Sequence, residues 1–129
     1  MLPPIFQALK ASSAVAAIVG TNPPRIWRHG QAPQDFEPTR PYITWFMVSG
    51  TPENNLSDPP PTDRCTVQVD CWHQTDSGIE ALATAVRDAL EIHCHMTSAP
   101  IDSKDFETRL YRMGLQFDWF LDRTRVVPD

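Results

Sequence analysis

Apolar and polar positions change period several times along the chain, and each change predicts an element. Residues 3–19 keep helical spacing, with Ile5, Phe6 and Leu9 near one face and an alanine-rich stretch carrying Val15, Ile18 and Val19 after them. Pro3 and Pro4 suit a first helical turn, where a missing amide donor costs nothing. Ser12 and Ser13 can split the segment into two short helices by capping the second. Gly20 offers a stop, and Pro23-Pro24 prevents continuation.

Strand signals follow. Arg25–His29 predicts a short strand, and Gln31–Pro41 reads as an irregular, proline-punctuated connection. Tyr42–Val48 is aromatic, β-branched and almost wholly apolar, a strong strand. Gly50–Asp63 reads as a long polar loop, and loops of that length in a compact domain tend to have a function. Arg64–Gln74 alternates, with Cys65, Val67, Val69 and Cys71 on one side and Thr66, Gln68, Asp70 and Trp72 on the other. Ser77 and Glu80 form a capping-box pattern opening a helix, whose apolar face (Ile79, Leu82, Ala83, Val86, Ala89, Leu90) runs to about His93. Thr97–Pro100 predicts a turn and Ile101–Asp105 a short edge strand. Arg109–Phe120 alternates again, with Tyr111, Met113, Leu115, Phe117 and Trp119 on one side. The expected fold is α+β: an antiparallel sheet of about four strands with two main helices packed on one face. A single domain over residues 1–121 and a loose tail over 122–129 complete the expectation.

The pattern also leaves an apolar excess. Strands 64–74 and 109–120 each carry one polar face, so one side of the sheet should meet solvent. Tyr42–Val48 is apolar on both faces, with Tyr42, Phe46 and Val48 on one and Ile43, Trp45 and Met47 on the other. Trp72 and Phe120 add to the polar side. An apolar patch of this kind marks a binding surface unless a loop such as Gln31–Pro41 folds over it.

Composition narrows the function classes. A chain of 129 residues fits one domain. Its 13 prolines, about twice the usual share, fall between elements and imply stiff connections. The net charge of −5, with no Lys/Arg run, argues against a surface that grips nucleic acid, because displacing counterions from phosphates takes a basic face. The three cysteines are odd in number, and Cys65 and Cys71 lie about 20 Å apart if their run is a strand, beyond disulfide reach. That points to a reducing compartment. The opening Met1-Leu2-Pro3-Pro4 has no signal-peptide pattern, and no apolar run approaches the ~20 residues of a membrane helix. A soluble protein with no membrane partner is expected.

Candidate chemistry is sparse. Cys71 and His73 share a strand face, and His93, Cys94 and His95 cluster at a helix end, but His93 and His95 are about 200° apart around a helix. No CxxC or HExxH spacing occurs, nor GxSxG, GxGxxG or a phosphate-binding loop. Asp70 and Asp118 fall on polar strand faces, where Arg64 and Arg112 are ordinary cross-strand partners. The expectation is a protein that is not an enzyme, with no catalytic residue, metal site or cofactor. A small cytoplasmic metal-binding enzyme using Cys71, His73 and His93 stays open as an alternative.

Arg28-His29-Gly30-Gln31-Ala32-Pro33-Gln34, followed by Pro41-Tyr42-Ile43, resembles the tail completion, or tail terminator, proteins of long-tailed bacteriophages and prophages. Val67-Gln68-Val69-Asp70-Cys71-Trp72, the helix Gly78–Leu90 and Tyr111-Arg112-Met113-Gly114-Leu115-Gln116-Phe117 continue the likeness, which runs from the first helix to about Trp119. The resemblance implies a virion protein that assembles as a hexameric ring on the finished tail tube, at the head-proximal end of the tail. It ends tube growth and offers the surface for head-tail joining. Implied partners are copies of itself, the tail tube protein and a head-tail neck protein, with assembly in the host cytoplasm and DNA passing through without specific binding. No catalysis or cofactor is implied. A head-side neck or connector protein is the nearest alternative. The longer Gly50–Asp63 loop and the Asp35–Arg40 insert depart from the pattern. On this reading Trp45, Phe46, Met47 and Trp72 line the contact between subunits. In the loop, Leu56 is an apolar anchor, with Asn54, Asn55 and Asp58 as a hydrogen-bonding rim.

Overall fold

A computed structural model describes residues 3–21, 23–29, 40–52, 62–105 and 109–122. Two short helices come first, α1 (Ile5–Lys10) and α2 (Ser13–Val19). The expected division falls at Ser12, whose hydroxyl accepts the Val15 amide at 3.2 Å, and Gly20 closes α2 by donating its amide to Ala16 O at 2.9 Å. Arg25 then ties this end to the sheet. Its Nη2 donates to Ile18 O (3.1 Å), one of the last-turn carbonyls an α-helix leaves unpaired, and its Nε donates to Pro41 O (2.7 Å).

Among the described residues five strands form one sheet. They are β1 (Ile26–Arg28), β2 (Tyr42–Pro52), β3 (Thr62–His73), β4 (His95–Lys104) and β5 (Tyr111–Asp122), in the order β1-β2-β3-β5-β4. The α+β class is as expected, with one strand more and one parallel pair. β2, β3, β5 and β4 are antiparallel neighbours, whereas β1 runs parallel to β2. A parallel pair needs a connection of about a dozen residues or more, and residues 29–41 supply it.

Two strand boundaries differ from the sequence reading. β2 and β3 extend into the expected Gly50–Asp63 loop, with Pro52 in register with Asp63, because the ladder is built from backbone groups and continues past weak strand formers. The expected turn at Thr97–Pro100 is instead part of one continuous β4. Its register with β5 slips between Met96 and Ser98 and again between Ser98 and Ile101. Pro100 sits within the second slip on an edge strand, where a missing amide donor is tolerated.

Helix α3 (Asp76–Leu90) crosses back over the sheet. Its cap is Thr75 rather than Ser77. Thr75 is extended and its Oγ1 accepts the Gly78 amide at 3.0 Å, while Ser77 already lies inside the first turn. The helix ends at Leu90, and residues 91–93 form a turn. Its buried face is the expected one, with Ala85 added.

The core lies between the helices and one face of the sheet. Ile26, Ile43, Trp45, Cys65, Val67, Val69, Cys71, Leu115, Phe117 and Trp119 meet Ile5, Leu9, Val15, Val19, Ile79, Leu82, Val86 and Leu90. Each fully buried Leu, Ile, Val or Phe there contributes about 1.5–3 kcal/mol relative to exposure.

Candidate functional site

Among the described residues the other face of the sheet carries no helix, and its side chains organise one another. Trp27, Tyr42, Trp72 and Arg112 follow in order across β1, β2, β3 and β5. Trp27 and Tyr42 are tilted with centroids 6.1 Å apart, Tyr42 and Trp72 are stacked at 5.5 Å and 9°, and the Arg112 guanidinium lies 5.1 Å from the Trp72 centroid. Trp72 Nε1 donates to Thr44 Oγ1 at 3.4 Å. Burial raises the Tyr42 phenol pKa above its ordinary value, Asp105 and Asp70 add to the shift and Arg112 opposes it.

Beside this ladder is a polar row that reaches interior-like burial. Asp70 is fully buried and accepts from Arg112 Nη2 (2.8 Å) and from Gln68 Nε2 (2.9 Å). Gln68 Oε1 in turn accepts from Gln116 Nε2 at 3.2 Å. The arrangement depends on Gly114, opposite Asp70, since a Cβ there would stand 2.8 Å from Asp70 Oδ1 and 3.2 Å from Gln68 Nε2. The expected Asp70–Arg112 partnership is therefore present. Asp118 accepts instead from Thr66 Oγ1 at 2.8 Å, and Arg64 stands opposite Phe120.

The expected contact residues divide. Ile43, Trp45 and Met47 stand opposite Cys71, Val69 and Val67, on the helix-covered side. Trp45 is only 6% exposed, inside the chain's own core, with the Arg28 guanidinium 5.9 Å from its ring centroid. A single copy hides it, so the expectation that Trp45 exceeds what one subunit can bury is corrected. Facing decides this, because Trp45 points under the helices. Phe46 is half-buried against the His29 ring, 5.1 Å away, and Trp72 is half-buried between Tyr42 and Arg112. Met47 is exposed. Asn54, Asn55, Leu56 and Asp58 lie outside the described residues.

Four large apolar side chains stay exposed among the described residues. They are Met47 (36%), Val48 (46%), Phe120 (50%) and Ile92 (79%). Phe120 pairs with Arg64 near the β2–β3 hairpin end. Ile92 follows the last turn of α3 on the helix-covered side, beside Ala11 and Ser12 of the α1–α2 segment, whereas Phe120 is on the helix-free face. His93 then stacks on Trp119 (5.8 Å, 14°), and His95 is in register with Asp118. Ile92 escaped the sequence reading, although an isoleucine just past the last core position of a helix is a readable signal.

The thiols and imidazoles do not converge. All three cysteines are buried, and among the described residues no group of three or more His, Cys, Asp or Glu is placed to hold a metal ion. Burial drives the Cys71 thiol far up. Burial, with Glu91 and Asp118 adding to it, pushes Cys94 up to about 12, and its Sγ lies 3.2 Å from Leu90 O as a donor.

This is an α+β module that leaves several large apolar side chains exposed outside its helix-packed core. The model of the family described as tail completion protein gp17 matches residues 3–122, and the chain belongs to that family. Its role is accordingly that of a structural phage virion component that assembles with other virion proteins. A chain from the virion of a native gene transfer agent (GTA) particle has the same fold, with a TM-score of 0.73 at 15% sequence identity, covering 92% of this chain and 91% of that one. Among curated proteins no sequence matches.

Proposed function

We propose that this chain is the subunit of a hexameric ring that caps the head-proximal end of the tail tube, ends tube growth and offers the surface for head-tail joining. It does so without catalysis or cofactor. Its partners are neighbouring copies, the tail tube protein and a head-tail neck protein. The observation that carries the reading, beyond family membership, is that Met47 and Val48 on β2, Phe120 on β5 and Ile92 after α3 stay exposed in a single copy. Large apolar side chains left exposed suit contacts that assembly completes. The segment bearing Asn54, Asn55, Leu56 and Asp58 joins β2 to β3 at the hairpin end, where it would meet the tube or the neck. A net charge of −5 fits a lumen through which DNA slides without being held.

The test pairs two variants of the full chain, Ile92→Asp/Phe120→Asp and deletion of residues 53–60. Light scattering with and without tail tubes reads ring formation, and electron microscopy reads tail length and head attachment. The double variant is expected to stay folded and fail to cap, giving overlong or headless tails. The deletion is expected to form rings that join tubes or heads poorly. Normal-length, head-bearing tails from both would overturn the proposal.

A further inference from the structure

We propose that the joint between β3 and α3 is a proton-sensitive latch, in which the neutral ring of His73 receives the Thr75 amide and fills the notch left by Gly78, and protonation loosens the first turn of α3. The inference is independent of the role in the tail.

Three contacts build the latch. His73 Nδ1 accepts the Thr75 backbone amide at 3.1 Å, with Thr75 Oγ1 3.4 Å from the same nitrogen. Thr75 is the helix cap, and its Oγ1 accepts the Gly78 amide at 3.0 Å. The ring occupies the place a Cβ at position 78 would need, in contact with Cε1, Nδ1 and Nε2 alike, so only glycine admits it. His73, Thr75 and Gly78 therefore form one capping chain.

Protonation acts against each link. A neutral imidazole accepting at Nδ1 carries its proton on Nε2, whereas the cation is a donor at both nitrogens. Nδ1–H would then face the Thr75 N–H, donor against donor. The added charge would also sit at a helix N-terminus, where the backbone dipole disfavours cations. Among the described residues the charged groups around the joint are few. On α3 they are Asp76 and Glu80, both exposed. On β5, Tyr111 stands in register with His73, with Lys104 of β4 lying 5.0 Å from its ring centroid, and Asp105 follows β4. Desolvation of the ring is the dominant effect, holding its pKa below the ordinary 6.5. The unfolded chain therefore takes up this proton first as pH falls. The latch contributes its full stability above about pH 6.5 and loses it as pH drops through the lower folded-state value.

Proton NMR of the full chain between pH 4 and 8 reads the His73 ring directly, and hydrogen exchange, corrected for its intrinsic pH dependence, reads protection at Gly78 and Ile79. The ring is expected to titrate below 6.5. Over that range protection at Gly78 and Ile79 should fall while Val86 and Leu90 keep theirs. In His73→Gln, which can accept but cannot titrate, that pH dependence should disappear. If His73→Gln does not fold, the wild-type measurements decide alone. A ring titrating at or above 6.5, or first-turn protection that stays constant while the ring titrates, would overturn the inference.

Discussion

The Asp70–Arg112 pair allows a quantitative test of how the helix-free face is held together. Asp70 is wholly buried, while the Arg112 side chain keeps 31% of its exposure, and they meet at 2.8 Å. Arg112→Met keeps the aliphatic stem over Trp72 but leaves a buried carboxylate with only the Gln68 donor. Stranding one partner of a fully buried pair costs 3–5 kcal/mol; the remaining donor and the partial exposure of Arg112 place this case near the lower end, about 3 kcal/mol. Asp70→Asn leaves a guanidinium that can turn to water, and should cost about 1–2 kcal/mol. The double variant has no stranded charge, so it should lose about 1–2 kcal/mol less than the sum of the singles. Equilibrium unfolding in urea, followed by far-ultraviolet circular dichroism and by tryptophan fluorescence, measures all four proteins. With a urea dependence of about 1–3 kcal/mol/M, Arg112→Met should lower the midpoint by roughly 1–3 M. Additive losses, with a coupling below about 0.5 kcal/mol, would refute the claim that the two charges depend on each other, and the polar row would then be only a solvated surface.

Two more outcomes follow from particular contacts. Arg25→Ala removes two charged donors from backbone carbonyls, and should cost about 2–3 kcal/mol in urea unfolding, with hydrogen exchange rising first at the end of α2. The native protein at pH 8 should react negligibly with a thiol reagent, since all three cysteines are buried and Cys71 and Cys94 hold their protons tightly, whereas the unfolded chain should react at all three; rapid native labelling of Cys94 would contradict its burial.

Where periodicity and burial agree, the elements were readable from sequence. The alternations over residues 65–71 and 113–119 place side chains on the faces they occupy, and the apolar face of α3 needed only Ala85 added. Signals carried by backbone geometry were less legible. The parallel pairing of β1 has no side-chain signature, since three residues cannot state a direction. Thr75 loses to Ser77 in a motif search because the capping box rewards a glutamate three places on, which helix formation itself does not require. Pro100 reads as a turn residue, but on an edge strand with register slips it interrupts nothing.

The candidate surface shows the same division. An apolar excess in Tyr42–Val48 is visible in the sequence, but which residues hold it depends on facing and on neighbours from other strands. Trp45, the largest of them, points under the helices, and Phe46 and Trp72 are partly covered by His29, Tyr42 and Arg112. What stays uncovered is set by where the covering elements end. α3 stops at Leu90, one residue short of Glu91 and two short of Ile92, while β5 continues to Asp122. Ile92 lies just past the end of α3 and Phe120 stands on the helix-free face, and both keep half or more of their surface exposed. A lone soluble domain would gain by replacing Ile92 and Phe120 with polar residues. Keeping them costs solubility, and that cost makes sense when another protein surface covers them.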